Sequence, residues 1–346
     1  MNKSYSQFAT KFRYLYLAFL TVHFGIYLQG GEKPEYRKFE SGFIKSEITY
    51  KDSGDKETTR GIRIWYPTND QPAEGFYAGK QKGLFSKDSK CAPGKFPLVI
   101  FSHGLWSHPE FSAFLTEEMA RAGLIVIGVI HKDGTTEKRP GWMGSKMPQF
   151  LKPDKWTDKN NADRRDDMKA LLDFMEKQHK QAGSAFYERI DLTKVGAMGH
   201  SMGGYTVTGL VGGWPSWEDK RVKCALLMSP FVMPYYSHDN IEKIKVPVMI
   251  QGGTFDFGIT PHAEKMYKTL STSKYFPIFQ NETHFAWINV ICKGKRTDEA
   301  VEEGNAKWIV RYSLSFFQSY LQNSKDSAKF LIEPNKELDS LRSNQP

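Results

Sequence analysis

Between residues 98 and 279 the chain alternates two patterns: short runs that are almost wholly apolar, and stretches whose apolar residues recur every three or four. The continuous runs are 98–101, 124–129, 195–198, 222–228, 246–250 and 275–279. Helical periodicity marks 111–122, 163–180, the segment after 202, 261–270 and, beyond the last run, 300–321. In the second of these, Met168, Leu171, Leu172 and Met175 fall on one face. Two earlier β-type runs, 43–50 and 62–66, lead into a Gly-, Lys- and Ser-rich loop at 79–97. Strands without a polar face must be buried on both sides. The pattern therefore predicts an α/β domain over 40–323, with a mostly parallel central sheet, helices on both faces and an antiparallel entry pair. A basic, apolar segment (1–39) precedes it and a polar tail (324–346) follows.

One stretch breaks the alternation. Residues 132–158 are too long for an ordinary connection, and Trp142, Met143, Met147, Phe150 and Trp156 make them too apolar for a disordered one. They are expected to form a cap or substrate-binding flap, or else a loop packed on the outside of a helix.

Composition changes this picture little. The 346 residues suffice to bury a full core, and 40% hydrophobic with 25% charged residues is ordinary for a soluble protein. The net charge of +9 suits an anionic surface such as phospholipid headgroups, although solubility alone accounts for it. Zinc-finger spacing, an RNP-like strand and a long basic helix are all lacking, so nucleic acid is not an expected partner. Cys91, Cys224 and Cys292 are too few for a disulfide framework. Cys224 lies in an apolar run and reads as core, while Cys91 and Cys292 are free to pair or not. No metal-ligand spacing occurs, and neither a metal nor an organic cofactor is expected.

The first 31 residues carry Lys3, Lys11 and Arg13 and no acid, and 14–28 are apolar. Three readings fit. A secretory signal has the right start and centre but a poor cleavage site at Gly30 and Gly31. A membrane anchor is short, since 15 helical residues reach about 22 Å against roughly 30 Å of hydrocarbon. An organelle-targeting segment, mitochondrial for instance, is the third. Secreted or membrane-associated placement is favoured. The sequon Asn281-Glu282-Thr283 would have to stay unused in a glycosylating lumen, because it abuts a candidate catalytic histidine.

The chemistry concentrates in Gly199-His200-Ser201-Met202-Gly203. A G-x-S-x-G pattern entered by a strand and left by a helix has the setting of a nucleophile elbow, which lifts Ser201 to the carboxyl edge of the sheet. A serine hydroxyl needs a base within hydrogen-bond reach. His200, its neighbour on an extended segment, points away and packs below the elbow. His284, after the last run of the sheet, is the candidate base. Asp256, after the run 246–250, is the candidate acid that fixes the imidazole. A competing acid position after the preceding strand holds Ser229, which cannot do a carboxylate's work. The backbone N–H groups of Met202 and of Leu105, in Ser102-His103-Gly104-Leu105-Trp106, are candidate oxyanion donors. Trp106, Tyr205 and Trp287 are candidates for lining substrate subsites. His103 and His131 read as structural, and His108, His179, His238 and His262 as surface or loop residues.

Together, Val99-Ile100-Phe101-Ser102-His103-Gly104-Leu105, Gly199 to Gly204, the Asp256 segment and Thr283-His284-Phe285-Ala286 resemble the α/β hydrolases. Within them the likeness is to the group of cutinase-like polyester hydrolases and platelet-activating-factor acetylhydrolases, over about residues 40–320. The resemblance implies the α/β-hydrolase fold and a serine esterase acting through an acyl-serine intermediate, on small-molecule or lipid esters that include short acyl esters of phospholipids. There is a departure. The acetylhydrolase pattern places its acid after the strand that here ends near Ser229, whereas Asp256 follows the cutinase-like and dienelactone-hydrolase-like arrangement. A dienelactone hydrolase is expected to carry Cys at the position of Ser201. The departure weakens a phospholipid substrate but not ester hydrolysis. Peptidase or thioesterase activity could run on the same machinery. From another class comes a hydrolase-fold protein kept as a non-catalytic, structural subunit of a membrane-associated complex, suggested by the amino-terminal segment and the basic surplus. The oligomeric state is not fixed by the sequence.

Overall fold

The computed structural model describes residues 34–135, 150 and 152–345. Residues 1–33 of the expected amino-terminal targeting or anchor segment and most of the expected flap lie outside them. Contacts divide the chain into Met1–Arg37, of which residues 34–37 are described, and Lys38–Pro346. Among the described residues no helix is long and apolar enough to cross a membrane.

The domain begins with a hairpin of β1 (Glu40–Lys51) and β2 (Glu57–Thr68), paired antiparallel from Glu40 opposite Thr68 to Lys51 opposite Glu57. Its turn is held by Asp52, whose Oδ1 accepts from the N–H groups of Gly54 and Lys56. Next come β3 (Ala73–Phe76) and β4 (Lys82–Lys87), then β5 (Phe96–Ser102), helix α1 (Ala113–Arg121) and β6 (Ile125–Val129). Helix α2 (Ala162–Lys180), β7 (Ile190–His200), α3 (Met202–Thr208), β8 (Val222–Met228), β9 (Val248–Gly253), α4 (Thr260–Thr269) and β10 (Lys274–Phe279) follow. The chain ends in α5 (Thr297–Ala300), α6 (Gly304–Leu321), α7 (Lys325–Phe330) and β11 (Leu338–Asn344).

The strands form one sheet in the order β11-β10-β9-β8-β7-β5-β6-β2-β1-β4-β3. From β10 across to β6 every pairing is parallel, and β2 joins β6 antiparallel. Every residue of β5, β6, β9 and β10 is buried, which is why these strands read as largely apolar runs, with Gln251 and Lys274 as the polar exceptions in β9 and β10. Helices cover both faces. On β7, Gly196 lies against Phe317 of α6, while Val195 and Ala197 join Met168 and Leu171 of α2 and Met266 of α4 in the main core. Alternate strand residues point to opposite faces, so this is a three-layer α/β/α arrangement. The strand order changes direction at β5–β7, and the loops leaving the carboxyl ends of β5, β7, β8, β9 and β10 meet there.

Three boundaries differ from the sequence pattern. β3 precedes the expected loop at 79–97 and β4 falls inside it; they are short, glycine-bearing and at least half exposed, so no alternation marks them. The helix expected at 300–321 is split between Ala300 and Gly304, whose φ of 57° only glycine adopts without strain. The expected polar tail is not a tail: its residues form α7 and β11, the latter pairing antiparallel with β10. β11 (LDSLRSN) buries only Leu338, so nothing in its residues marks a strand.

Candidate active site

β7 ends at His200, α3 begins at Met202, and Ser201 between them has φ 55° and ψ −114°. A left-handed φ at a non-glycine residue costs about 1–2 kcal/mol and persists only where its surroundings fix it. They do so here. The Ser201 N–H donates to the Met228 carbonyl at 3.0 Å, and the Ser201 carbonyl accepts from Phe231 at 3.0 Å and Tyr205 at 3.2 Å. The flanking glycines are obligatory. A Cβ on Gly203 would sit 1.8 Å from the Ser102 carbonyl oxygen, and one on Gly199 2.2 Å from that of Gly203.

Two loops converge on Ser201 from the carboxyl ends of β9 and β10. The loop after β10 carries His284, whose Nε2 is 2.8 Å from Ser201 Oγ. The turn from β9 into α4 carries Asp256, whose Oδ2 is 2.9 Å from His284 Nδ1. The two loops are locked together: Phe255 N–H donates to the Glu282 carbonyl at 2.9 Å, and Gly253 has no room for a side chain against it. An ionised Asp256 only accepts, so the imidazole proton resides on Nδ1 and the Nε2 lone pair faces the Ser201 hydroxyl. Asp256 is buried, whereas the His284 side chain keeps 26% of its surface exposed, open to a reactant.

His200 packs beneath this array. Its Nε2–H donates to the His284 carbonyl at 2.9 Å, tying the base loop to the elbow. Burial, then the neighbouring His284, pushes its pKa down to about 3, so it stays neutral. Its buried Nδ1 has no partner among the described residues.

The loop from Ser102 to Trp106 leaves β5 beside the elbow, and the Cβ position of Gly104 lies 3.4 Å from Ser201 Cβ. Its carbonyls are gripped from within. Fully buried Arg164, on α2, donates to the His103 carbonyl at 2.8 Å, the Gly104 carbonyl at 3.3 Å and Ser102 Oγ at 3.3 Å. The same guanidinium is bidentate on Asp133, at 2.8 and 3.1 Å. His103 Nδ1 donates to the Gly104 carbonyl at 2.7 Å, and its Nε2 accepts from the His131 N–H at 3.0 Å. Burial and the nearby His131 hold the His103 pKa well below the usual histidine value, consistent with that acceptor role. Across a trans peptide, N–H and C=O point oppositely. With the Gly104 carbonyl turned inward, the Leu105 N–H is turned outward. On the other side, the Met202 N–H opens α3, where a helix has no internal acceptor for it.

A second buried chain backs this loop. Ser102 Oγ lies 2.8 Å from His131 Nε2, and His131 Nδ1 lies 2.7 Å from Asp167 Oδ2. Arg60 and Tyr50 complete the ring around Asp167. All three members of the chain are fully buried, so it braces the loop and meets no reactant.

The candidate subsite residues separate. Trp106 is partly exposed in the loop after β5. Tyr205 and Trp287 cannot line an open subsite, because both are fully buried. The Tyr205 hydroxyl donates to the Asn160 carbonyl and accepts from Trp214 Nε1, and Trp287 Nε1 donates to Gln251 at 2.7 Å. The exposed rings lie elsewhere: Phe255 and Phe257 flank Asp256, and Phe285 follows His284. Of the expected flap, Phe150 and Trp156 are described, and they pack on each other and on Phe231. His108, expected at the surface or in a loop, lies in the loop before Pro109 but is buried, and it caps the turn at Glu110 N–H through Nδ1. The three cysteines are buried free thiols. Among the described residues no three His, Cys, Asp or Glu side chains gather to hold a metal. Sequence reasoning set Ser229 aside and did not single out Arg164.

The sheet order and the loop convergence define the α/β-hydrolase fold. The chain superposes on the ferulic acid esterase from Streptomyces cinnamoneus with a TM-score of 0.66, over 90% of this chain and 98% of that one, at 19% identity. It belongs to the PET hydrolase-like family, whose model matches residues 151–345, more than half of the chain. Residues 74–139 match the model for platelet-activating factor acetylhydrolase, isoform II. Among curated proteins it is similar to the platelet-activating factor acetylhydrolase of Cavia porcellus, 25% identical over 67% of this chain and 59% of that one. It is similar also to cutinase 2 of Thermobifida cellulosilytica, 29% identical over 47% of this chain and 54% of that one. The bis(hydroxyethyl) terephthalate hydrolase of Streptomyces coelicolor is 22% identical over 76% of this chain and 71% of that protein. The matches thus span little more than half the length of the first two relatives.

Proposed function

We propose that this chain hydrolyses carboxylic esters through an acyl-serine intermediate. The observation that carries the reading is the linear array of Ser201 Oγ, His284 and Asp256, with heavy-atom separations of 2.8 and 2.9 Å. In this reading Ser201 Oγ attacks the acyl carbonyl while its proton passes to His284 Nε2. Asp256 stabilises the imidazolium that forms. The amides of Leu105 and Met202 receive the charge on the carbonyl oxygen, in a site where fixed donors need no reorganisation. Collapse of the tetrahedral intermediate expels the alcohol, which takes the proton from His284. Water then attacks the acyl-serine, with His284 again as base. No step needs a metal or an organic cofactor.

The substrate class is inferred from two supports. Relatives are named for esters of aromatic acids or of a lipid, and Phe255, Phe257 and Phe285 expose aromatic surface beside the acid and the base. Small-molecule or lipid esters of apolar acids fit both. Nothing in the site favours a non-catalytic subunit, which has no physical need for the strained serine, the oriented imidazole and the braced loop together.

The test is labelling with a fluorophosphonate, comparing the native chain with Ser201→Ala, alongside hydrolysis of short p-nitrophenyl esters. Labelling and turnover lost together in the variant would support the reading. A folded native chain that neither labels nor turns over ester would refute it.

A further inference from the structure

Ser229 occupies the first position after β8, with no surface exposed, and its φ of 44° places a non-glycine residue in the left-handed region. The backbone around it is fixed on two sides. Its N–H donates to the Gln251 carbonyl of β9 at 2.8 Å, and two residues on, the Phe231 N–H donates to the Ser201 carbonyl at 3.0 Å. This turn therefore ties β8, β9 and the elbow at one point, and it aims the Ser229 side chain into the gap between Asp256 and His284.

The hydroxyl meets both. Ser229 Oγ donates to Asp256 Oδ2 and stands 2.8 Å from His284 Nδ1, which is itself 2.9 Å from the same Oδ2. A hydroxyl has one proton and two acceptor sites. Asp256 accepts only, so the proton goes to the carboxylate and a lone pair is left facing the imidazole Nδ1–H. The three groups close a triangle in which the Nδ1–H is shared between two oxygens. Backbone hydrogen bonds fix the Asp256 turn, with Phe255 N–H on the Glu282 carbonyl at 2.9 Å and Thr260 N–H on the Asp256 carbonyl at 2.9 Å. They do not fix the torsions of its carboxylate, on which the Ser229 hydroxyl acts directly.

We infer that Ser229 is a positioning residue of the hydrolytic site, one hydroxyl holding the Asp256 carboxylate and the His284 imidazole in register. The inference rests on the hydrolytic reading above. Its effect belongs to the transition state. When His284 gains the Ser201 proton, the Nδ1–H becomes a charged donor, and two oriented oxygens face it instead of one carboxylate free to turn about its own torsions. An interaction that strengthens only as that charge forms raises kcat and leaves KM alone.

The experiment is a double-mutant cycle on p-nitrophenyl acetate with the native chain, Ser229→Ala, Asp256→Ala and the double variant. Fluorophosphonate labelling of the native chain comes first; its absence would count against the hydrolytic reading and not against Ser229 in particular. With labelling established, Ser229→Ala is expected to lower kcat about 10–100-fold with KM within about twofold, the size of a lost hydrogen bond to a charged group. In the Asp256→Ala background the same substitution is expected to cost less than about 3-fold, because its partner is gone. Ser229→Gly, which relieves the backbone while removing the hydroxyl, serves if the alanine variant does not fold, and the same loss is expected from it. A folded variant with native kcat would overturn the inference, as would equal losses in both Asp256 backgrounds, which would reduce Ser229 to a packing residue.

Discussion

The grip of Arg164 on the loop after β5 can be tested by replacing its planar fork with a point charge, in Arg164→Lys. The guanidinium makes five contacts, two to Asp133, one each to the His103 and Gly104 carbonyls and one to Ser102 Oγ. An ammonium has three donors. At least two contacts must be lost, and at full burial no water replaces them. Keeping the charge opposite Asp133 avoids the larger penalty of an unpaired buried carboxylate. Each charge-assisted hydrogen bond lost at full burial costs about 1–3 kcal/mol, so a loss of about 2–6 kcal/mol is expected. In a domain of this size that lowers the unfolding midpoint by roughly 3–9 °C. The catalytic consequence is separate. Deleting an oxyanion donor costs about 10²–10³ in kcat, and Arg164→Lys loosens the Leu105 N–H without deleting it. A fall of about 10–100-fold in kcat with little change in KM is therefore expected. Rates would be measured well below the variant's midpoint and divided by the number of fluorophosphonate-titratable sites. A lowered midpoint with native kcat per titrated site would refute the argument. It would mean that the His103 and Ser107 hydrogen bonds to the Gly104 carbonyl hold the loop unaided.

Other perturbations address other parts of the site. Asp256→Asn keeps the shape but removes the charge that fixes the Nδ1 proton, and is expected to cost about 10⁴ in kcat; a loss under about tenfold would show that another group orients His284. Gly203→Ala would drive a Cβ to 1.8 Å from the Ser102 carbonyl oxygen. The elbow must open to admit it, so destabilisation beyond about 4 kcal/mol and failure to accumulate as soluble protein are expected; a native-like melting curve would contradict the tight elbow. His108 has its pKa pushed down from 6.5 to about 4, first by burial. The unfolded chain binds its proton below about 6.5 and the folded chain only below about 4, so stability is lost as pH falls through that window, by up to about 3 kcal/mol. His108→Asn keeps an acceptor for the Glu110 N–H and removes the titration, so urea unfolding should lose that part of its acid slope; an unchanged slope would exclude His108 as its source.

Much of the fold is legible because burial on both faces leaves an unambiguous trace. β5, β6, β8 and β9 contain few or no exposed positions, and no amphipathic element imitates them. The elbow is legible because its strain admits few residue types. Asp256 and His284 are legible from their positions after two such strands. β11 is not, since an edge strand with one buried residue is placed by its backbone pairing with β10 and by Arg342 on Glu264 of α4, and neither leaves an apolar pattern. Tyr205 and Trp287 show the limit of reasoning by proximity. Both neighbour catalytic residues in sequence, but the period of helix or loop turns them into the core, where buried polar tips find partners.

Arg164 marks where the trace existed and was not followed. It sits in Ala162-Asp163-Arg164-Arg165-Asp166-Asp167, which as a string of charges looks like a solvated helix face. The helical period separates that string. Arg164 lies four, seven and eleven residues before Met168, Leu171 and Met175, the buried stripe of α2, and Asp167 lies four before Leu171. Both are fully buried. A charge in register with the apolar stripe of a helix cannot stay there unpaired, because desolvation would cost more than the stripe contributes. Such a residue must have a buried partner on the element the stripe packs against, here β5, β6 and the loops that leave them. Those loops carry Ser102, His103, Gly104, His131 and Asp133. The period of α2 thus indicates that two charges descend onto the carboxyl ends of β5 and β6. It does not indicate which atoms they meet, because that depends on where loops of irregular backbone turn their carbonyls.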